Sequence, residues 1–132
     1  MNAALLVIGS IFVVLASALH VYIFVLESIT WSVPRTWRIF GVASQADADV
    51  IKPMAFNQGF YNLFLGLGAG IGVALLAVNE SAALALAFLG AGSMVLAALV
   101  LLSSSPANRR PALAQGVPPF IGIALILASI AA

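Results

Sequence analysis

The chain has 132 residues, 64% hydrophobic and 7% charged, with a mean hydropathy of +1.19, a balance that excludes a soluble globular domain. Its formal net charge of +1 gives no field suited to nucleic acid or acidic substrates. The absence of cysteine removes disulfides, thiolate nucleophiles and thiolate metal sites, and a single histidine rules out a multi-histidine metal cage within one chain.

The chain opens on "MNAALLVIG", which has no basic n-region and leads into an apolar run longer than a signal-peptide core. This segment therefore reads as a retained span. A bilayer core of about 30 Å needs roughly 20 apolar residues per helix. Residues 4–26, 53–78, 82–102 and 112–130 meet that requirement. The expected fold is all-α: one domain, residues 1–132, forming an integral membrane four-helix bundle with a short interfacial helix in the first loop.

In the first span, "ALHVYIFVLESITW" carries His20 and Glu27. They are seven residues apart, which puts them on one helix face about 10 Å apart along the axis. Ionisable residues inside a span generally face the protein interior and point to function. The loop that follows, "SVPRTWRIFG", sets Arg35 and Arg38 beside Trp37 and Phe40, and Gly41 is suited to end a short helix there. Together with Trp31, these residues are expected to anchor the loop at the headgroup boundary. In "SQAD", Ser44 is a helix N-cap with Asp47 three residues on. The helix started there is expected to run into the second span, bent or restarted at Pro53.

The second span enters with "NQGFYN". Asn57 and Tyr61, and likewise Gln58 and Asn62, are four apart and form two adjacent polar stripes. Deeper in the same span, the glycines of "GLGAGIG" follow no strand, so they are not a nucleotide-binding loop. Gly66 with Gly70, and Gly68 with Gly72, have the spacing that lets helices approach closely, in the same chain or in another copy. The third span is mostly Ala, Leu and Gly and adds no polar group. In the fourth, Gln115 precedes Pro118 and Pro119, which remove backbone donors and are expected to kink or break the helix.

All five basic residues, Arg35, Arg38, Lys52, Arg109 and Arg110, lie in or beside loops one and three. The positive-inside rule then places those loops in the cytoplasm and both termini outside. Counting inward at about 1.5 Å per residue, His20, Glu27, Asn57, Gln58, Tyr61, Asn62 and Gln115 converge on the cytoplasmic half. Unpaired polar groups in lipid cost several kcal/mol, so these side chains are expected to hydrogen-bond one another or a ligand.

"HVYIFVLESITW", "FG", "NQGFYNLFL" and "QGVPP" together resemble a bacterial family of small four-helix membrane proteins, the domain of unknown function 1304. The resemblance covers nearly the whole chain, and the NQGxYN block is its most specific part. It implies a shared fold and a shared polar layer. On the matching positions, the characteristic residues are His20, Glu27, Trp31, Phe40, Gly41, Asn57, Gln58, Gly59, Tyr61, Asn62, Gln115 and Pro118. It implies no reaction.

Three functions compete on these observations. The first is a site for a small molecule or lipid, or an enzyme acting on one, with His20 and Glu27 as the candidate catalytic groups and Asn57, Gln58, Tyr61, Asn62 and Gln115 binding the ligand. The second is an oligomeric proton-coupled transporter assembled through the glycine faces. The third is an accessory subunit whose polar layer only fixes helix register. No cofactor is expected. A metal site is disfavoured, since His20 and Glu27 are too far apart to meet at one ion.

Overall fold

The computed structural model describes all 132 residues, and they form helices and short connections without a strand. The first helix, α1 (Ala3–Phe24), starts at Asn2, whose side chain accepts from the Leu5 amide at 3.2 Å. It runs without a break into a π-helical turn, Val25–Ile29. A six-residue helix follows, α2 (Pro34–Ile39), with proline at its first position, where no amide donor is needed. The chain leaves it through Gly41 at φ 77°, a left-handed conformation that glycine adopts without steric cost.

The third helix, α3 (Gln45–Ala74), begins where the capping residues placed it. The Asp47 amide donates to Ser44 Oγ at 3.1 Å, and the hydroxyl donates back to Asp47 Oδ2 at 2.6 Å. It passes through Pro53 as one continuous helix, so the restart expected there does not occur. A 3₁₀ turn at Leu75–Ala77 leads to α4 (Glu80–Ser104), capped by Asn79, which accepts from the Ala82 amide at 3.0 Å. A second 3₁₀ turn, Pro106–Asn108, precedes α5 (Arg109–Ala131). That helix contains Pro118 and Pro119 and is not broken by them.

The four long helices form a ring in which α1 lies between α3 and α5, and α4 closes it on the far side. Successive helices alternate in direction. Both termini therefore meet at one end, where the Asn2 amide donates to the Ser129 carbonyl at 2.7 Å. The opposite end gathers α2 and the α4–α5 connection, and with them all five basic residues. Each of the segments Ala3–Ile29, Gln45–Ala77, Glu80–Ser104 and Pro106–Ala131 is long and apolar enough to cross a membrane. The protein is a multi-pass membrane protein built as an all-α four-helix bundle. At 33 residues, or roughly 50 Å, the second segment exceeds the hydrocarbon thickness, so its first turns project at the basic end.

Small residues set the helix spacing. In lipid the hydrophobic effect does not drive helices together, so close van der Waals contact must do so. Gly9 of α1 and Gly122 of α5 abut, Gly90 of α4 lies against Ala69 of α3, and Gly116 of α5 faces Ala98 of α4. Inside the ring, Val13, Ala16, Ala69, Ala91, Met94 and Ile126 form the apolar core. A separate small core at the basic end contains Trp31, Trp37, Ala48 and Ala55.

Candidate functional site

Residues of the first and second spans meet where α1 packs antiparallel to α3. Two glycines of α3 make the approach possible. A Cβ on Gly59 would fall against Ser28 and 3.1 Å from Glu27 Cβ, and one on Gly66 would come within 2.9 Å of the Ser17 carbonyl and 3.5 Å of His20 Cβ. Glu27 and His20 therefore both face α3, about two turns apart, as their spacing predicts.

Glu27 is 9% exposed, and its Oε2 accepts from Asn62 Nδ2 at 2.9 Å. The same Asn62 nitrogen donates to the Gln58 carbonyl at 3.2 Å, which uses both amide hydrogens. The next residue, Ser28, donates from Oγ to the Phe56 carbonyl at 2.8 Å. The π-helical turn thus fastens to α3 through two neighbouring side chains. Such turns occur frequently at functional sites. Phe24, the last residue of α1, stacks edge-on against Phe60 of α3 at 5.1 Å.

His20 is 2% exposed, and its Nδ1 lies 2.9 Å from the Ala16 carbonyl. A carbonyl only accepts, so Nδ1 carries the proton, and in the neutral ring Nε2 holds the lone pair. The remaining wall is read from register. Val13 packs against Gly122, and α1 and α5 run in opposite directions. Seven residues further along α1 is His20, and seven back along α5 is Gln115, so the two share a level. Gln115 is half-buried.

Neither free polar atom of the ionisable pair is sealed. Glu27 Oε1 and His20 Nε2 make no hydrogen bond, and the only fully enclosed side-chain polar atom without a partner is Trp37 Nε1. Each ionisable side chain is thus tied to the fold by one atom and open at the other. Two apolar clefts lie elsewhere. One of about 150 Å³ runs between α4 and α5 past Leu99, Leu113 and Phe120, and one of about 500 Å³ lies along Leu6, Ile11, Leu15 and Val73. No three His, Asp or Glu side chains come together as a chelating set.

A model of the family described as protein of unknown function DUF1304 matches residues 14–127. The chain belongs to the DUF1304 family. The match includes His20, Glu27, the "NQGFYN" block and Gln115, and so takes in every wall of this site. No curated protein matches, and no solved structure does.

The other residues singled out in the sequence divide into two groups. Asn57, Gln58 and Tyr61 lie on the exposed face of α3, Tyr61 at 57%, beside the Glu27–Asn62 pair and outside it. Of the residues expected to anchor the loop, Arg35, Arg38 and Phe40 are exposed. Trp31 and Trp37 are instead buried in the small core: the Trp31 indole donates to the Ala48 carbonyl at 2.9 Å, and the Arg38 guanidinium lies 5.0 Å from the Trp37 ring centre. The indoles are drawn inward because the projecting start of α3 gives them an apolar surface to cover. Sequence reasoning missed Ser28 and the π-helical turn, for which no residue pattern gives a signal.

Proposed function

We propose that this protein binds a small polar or amphipathic molecule, or a lipid headgroup, at the α1–α3 interface near its basic end. Glu27 and His20 are the groups that engage it, and Asn62 holds Glu27 in place. The observation that carries this reading is the half-used state of both ionisable side chains. A purely structural role would be served by amides that satisfy one another, whereas here a carboxylate and an imidazole each keep one polar atom open at a buried position. Asn57, Gln58 and Tyr61, exposed on the adjoining turns, extend the polar surface toward the headgroups.

On the positive-inside rule the basic end faces the cytoplasm of a bacterial inner membrane and both termini lie outside, so the ligand enters from the cytoplasmic leaflet. The alternative of an oligomeric transporter draws on the intramembrane ionisable groups and on the glycine faces of α3. Gly66 packs on α1 and Gly72 on α4 within one chain, which leaves Gly68 with open space around it. That use of the glycines favours a self-contained binding site.

The test is native mass spectrometry of gently solubilised wild type beside Glu27→Gln. A defined extra mass carried by wild type and lost in the variant supports the proposal. Identical ligand-free spectra for two folded proteins would refute it.

A further inference from the structure

We propose a second site, independent of the α1–α3 reading: an anionic phospholipid docks on the groove between α4 and α5, with one acyl chain between the helices and its phosphate at Arg109.

The groove follows from side-chain size. Its floor is Ala98 of α4 with Ala112 and Gly116 of α5, and a Cβ on Gly116 would lie only 2.6 Å from Ala98 Cβ. Its walls, Leu99, Leu113 and Phe120, are each more than half exposed. Short residues between long ones leave a channel of about 150 Å³ that no polar side chain lines. From Ala112 to Phe120 it runs about 12 Å along the helix axis, most of the roughly 15 Å hydrocarbon depth of one leaflet. Inside a bilayer the apolar molecule at hand is an acyl chain, and a channel touches it on three sides where a flat helix face touches one.

Charge selects the headgroup. Counting about 20 residues back from Ala131 puts the hydrocarbon boundary near Ala112, so Arg109 and Arg110 stand in the phosphate layer directly above the groove. Both are exposed. Arg109, Leu113, Gly116 and Phe120 are spaced four, three and four residues apart, which places the arginine on the stripe that forms the groove. No carboxylate competes for it. Glu80, the only acid of α4, opens that helix at the opposite end, and α5 has none. Glu27 is held toward α3 by Asn62, and Asp47 and Asp49 belong to α3, diagonal to α5 in the ring. An arginine fork suits a phosphate, and basic pockets between spans hold anionic headgroups by the same electrostatics. A zwitterionic headgroup would bring its own cation to this uncompensated pair.

The cleft along Leu6, Ile11, Leu15 and Val73 supplies the contrast. It is also apolar, but it lies toward the other end of the bundle, where the only charged side chain is Glu80. An acyl chain there finds no cation for its phosphate.

The experiment is native mass spectrometry of the full chain from nanodiscs of equal phosphatidylcholine and phosphatidylglycerol. Three variants accompany wild type. Arg109→Gln removes the charge over the groove, Leu113→Trp fills the groove from an exposed wall and keeps both arginines, and Lys52→Gln removes an exposed charge at the same end of the bundle on α3.

Wild type should retain one phosphatidylglycerol in preference to phosphatidylcholine. Arg109→Gln should lower that preference about fivefold, the share of one arginine at an anionic surface. Leu113→Trp should lower retention severalfold, and Lys52→Gln should leave it within twofold. Wild type without a lipid preference overturns the proposal. Equal losses in Lys52→Gln and Arg109→Gln overturn it too, since the general field of the basic end would then account for retention. Undiminished retention in a folded Leu113→Trp removes the groove from the site. A lipid-free dimer that Leu113→Trp dissociates would make the groove a contact between copies of the chain, against the proposal. Should Leu113→Trp fail to fold, the comparison of Arg109→Gln with Lys52→Gln decides alone.

Discussion

Replacing Gly72 by alanine tests the packing that positions the site, because the consequence can be worked from distances. A Cβ at this position lies 2.5 Å from the Ala87 amide nitrogen, 2.9 Å from the Ala83 carbonyl and 3.0 Å from Ala87 Cα. All three are backbone atoms of α4, so no side chain can rotate away. Ordinary contact at about 3.5 Å requires α3 and α4 to part by roughly 1 Å, and a gap of that size forfeits a quarter to a half of each neighbouring contact. Overpacking of this kind costs about 1–3 kcal/mol. Alanine recovers about 1 kcal/mol of helix propensity, which blurs the result for a single variant. Gly68→Ala removes that ambiguity. Gly68 is on the same helix with nothing within 4 Å of its Cβ position, so it receives the propensity gain alone. The difference between the two variants cancels propensity and should leave Gly72→Ala less stable than Gly68→Ala by about 1–3 kcal/mol. Thermal unfolding of both in one detergent, followed by circular dichroism, measures it. Equal stability, or a more stable Gly72→Ala, would show that α3 and α4 do not approach as described.

Other predictions address the site and its surroundings. A double-mutant cycle with Glu27→Ala and Asn62→Ala should give a coupling of about 0.6–1.7 kcal/mol, toward the upper value because the acceptor is a buried carboxylate. A coupling near zero in detergent unfolding would remove Asn62 from the site. Trp31→Phe loses the bond to the Ala48 carbonyl and should loosen the loop by about 1 kcal/mol, seen as faster hydrogen exchange over α2. Trp37→Phe deletes an enclosed donor that has no acceptor and should leave exchange unchanged or slower, so the opposite ranking would contradict the two indole environments. The proposed orientation predicts that Asn79→Cys in this cysteine-free chain reacts with an impermeant maleimide on intact cells, and that Ala107→Cys reacts only after permeabilisation. The reverse pattern inverts the topology.

Hydropathy and capping chemistry alone determined that the chain crosses the membrane four times, that α3 starts at Ser44 and that Gly41 ends the loop helix. These features depend on local composition and on backbone groups that must be satisfied within a few residues. The facing of each helix was decided only in the tertiary structure. In "NQGFYN" the sequence offers two polar stripes side by side, and nothing in it chooses Asn62 to turn inward while Asn57, Gln58 and Tyr61 stay out. A water-soluble helix reveals its buried side by contrast with a polar one. These helices are apolar toward lipid and apolar toward the core, so that contrast is absent and periodicity cannot orient them. The choice falls to steric fit: Gly59 and Gly66 let α1 come close enough for Glu27 to reach Asn62. The π-helical turn that carries Glu27 and Ser28 forms because both side chains find partners on α3, a contact between residues far apart in the chain.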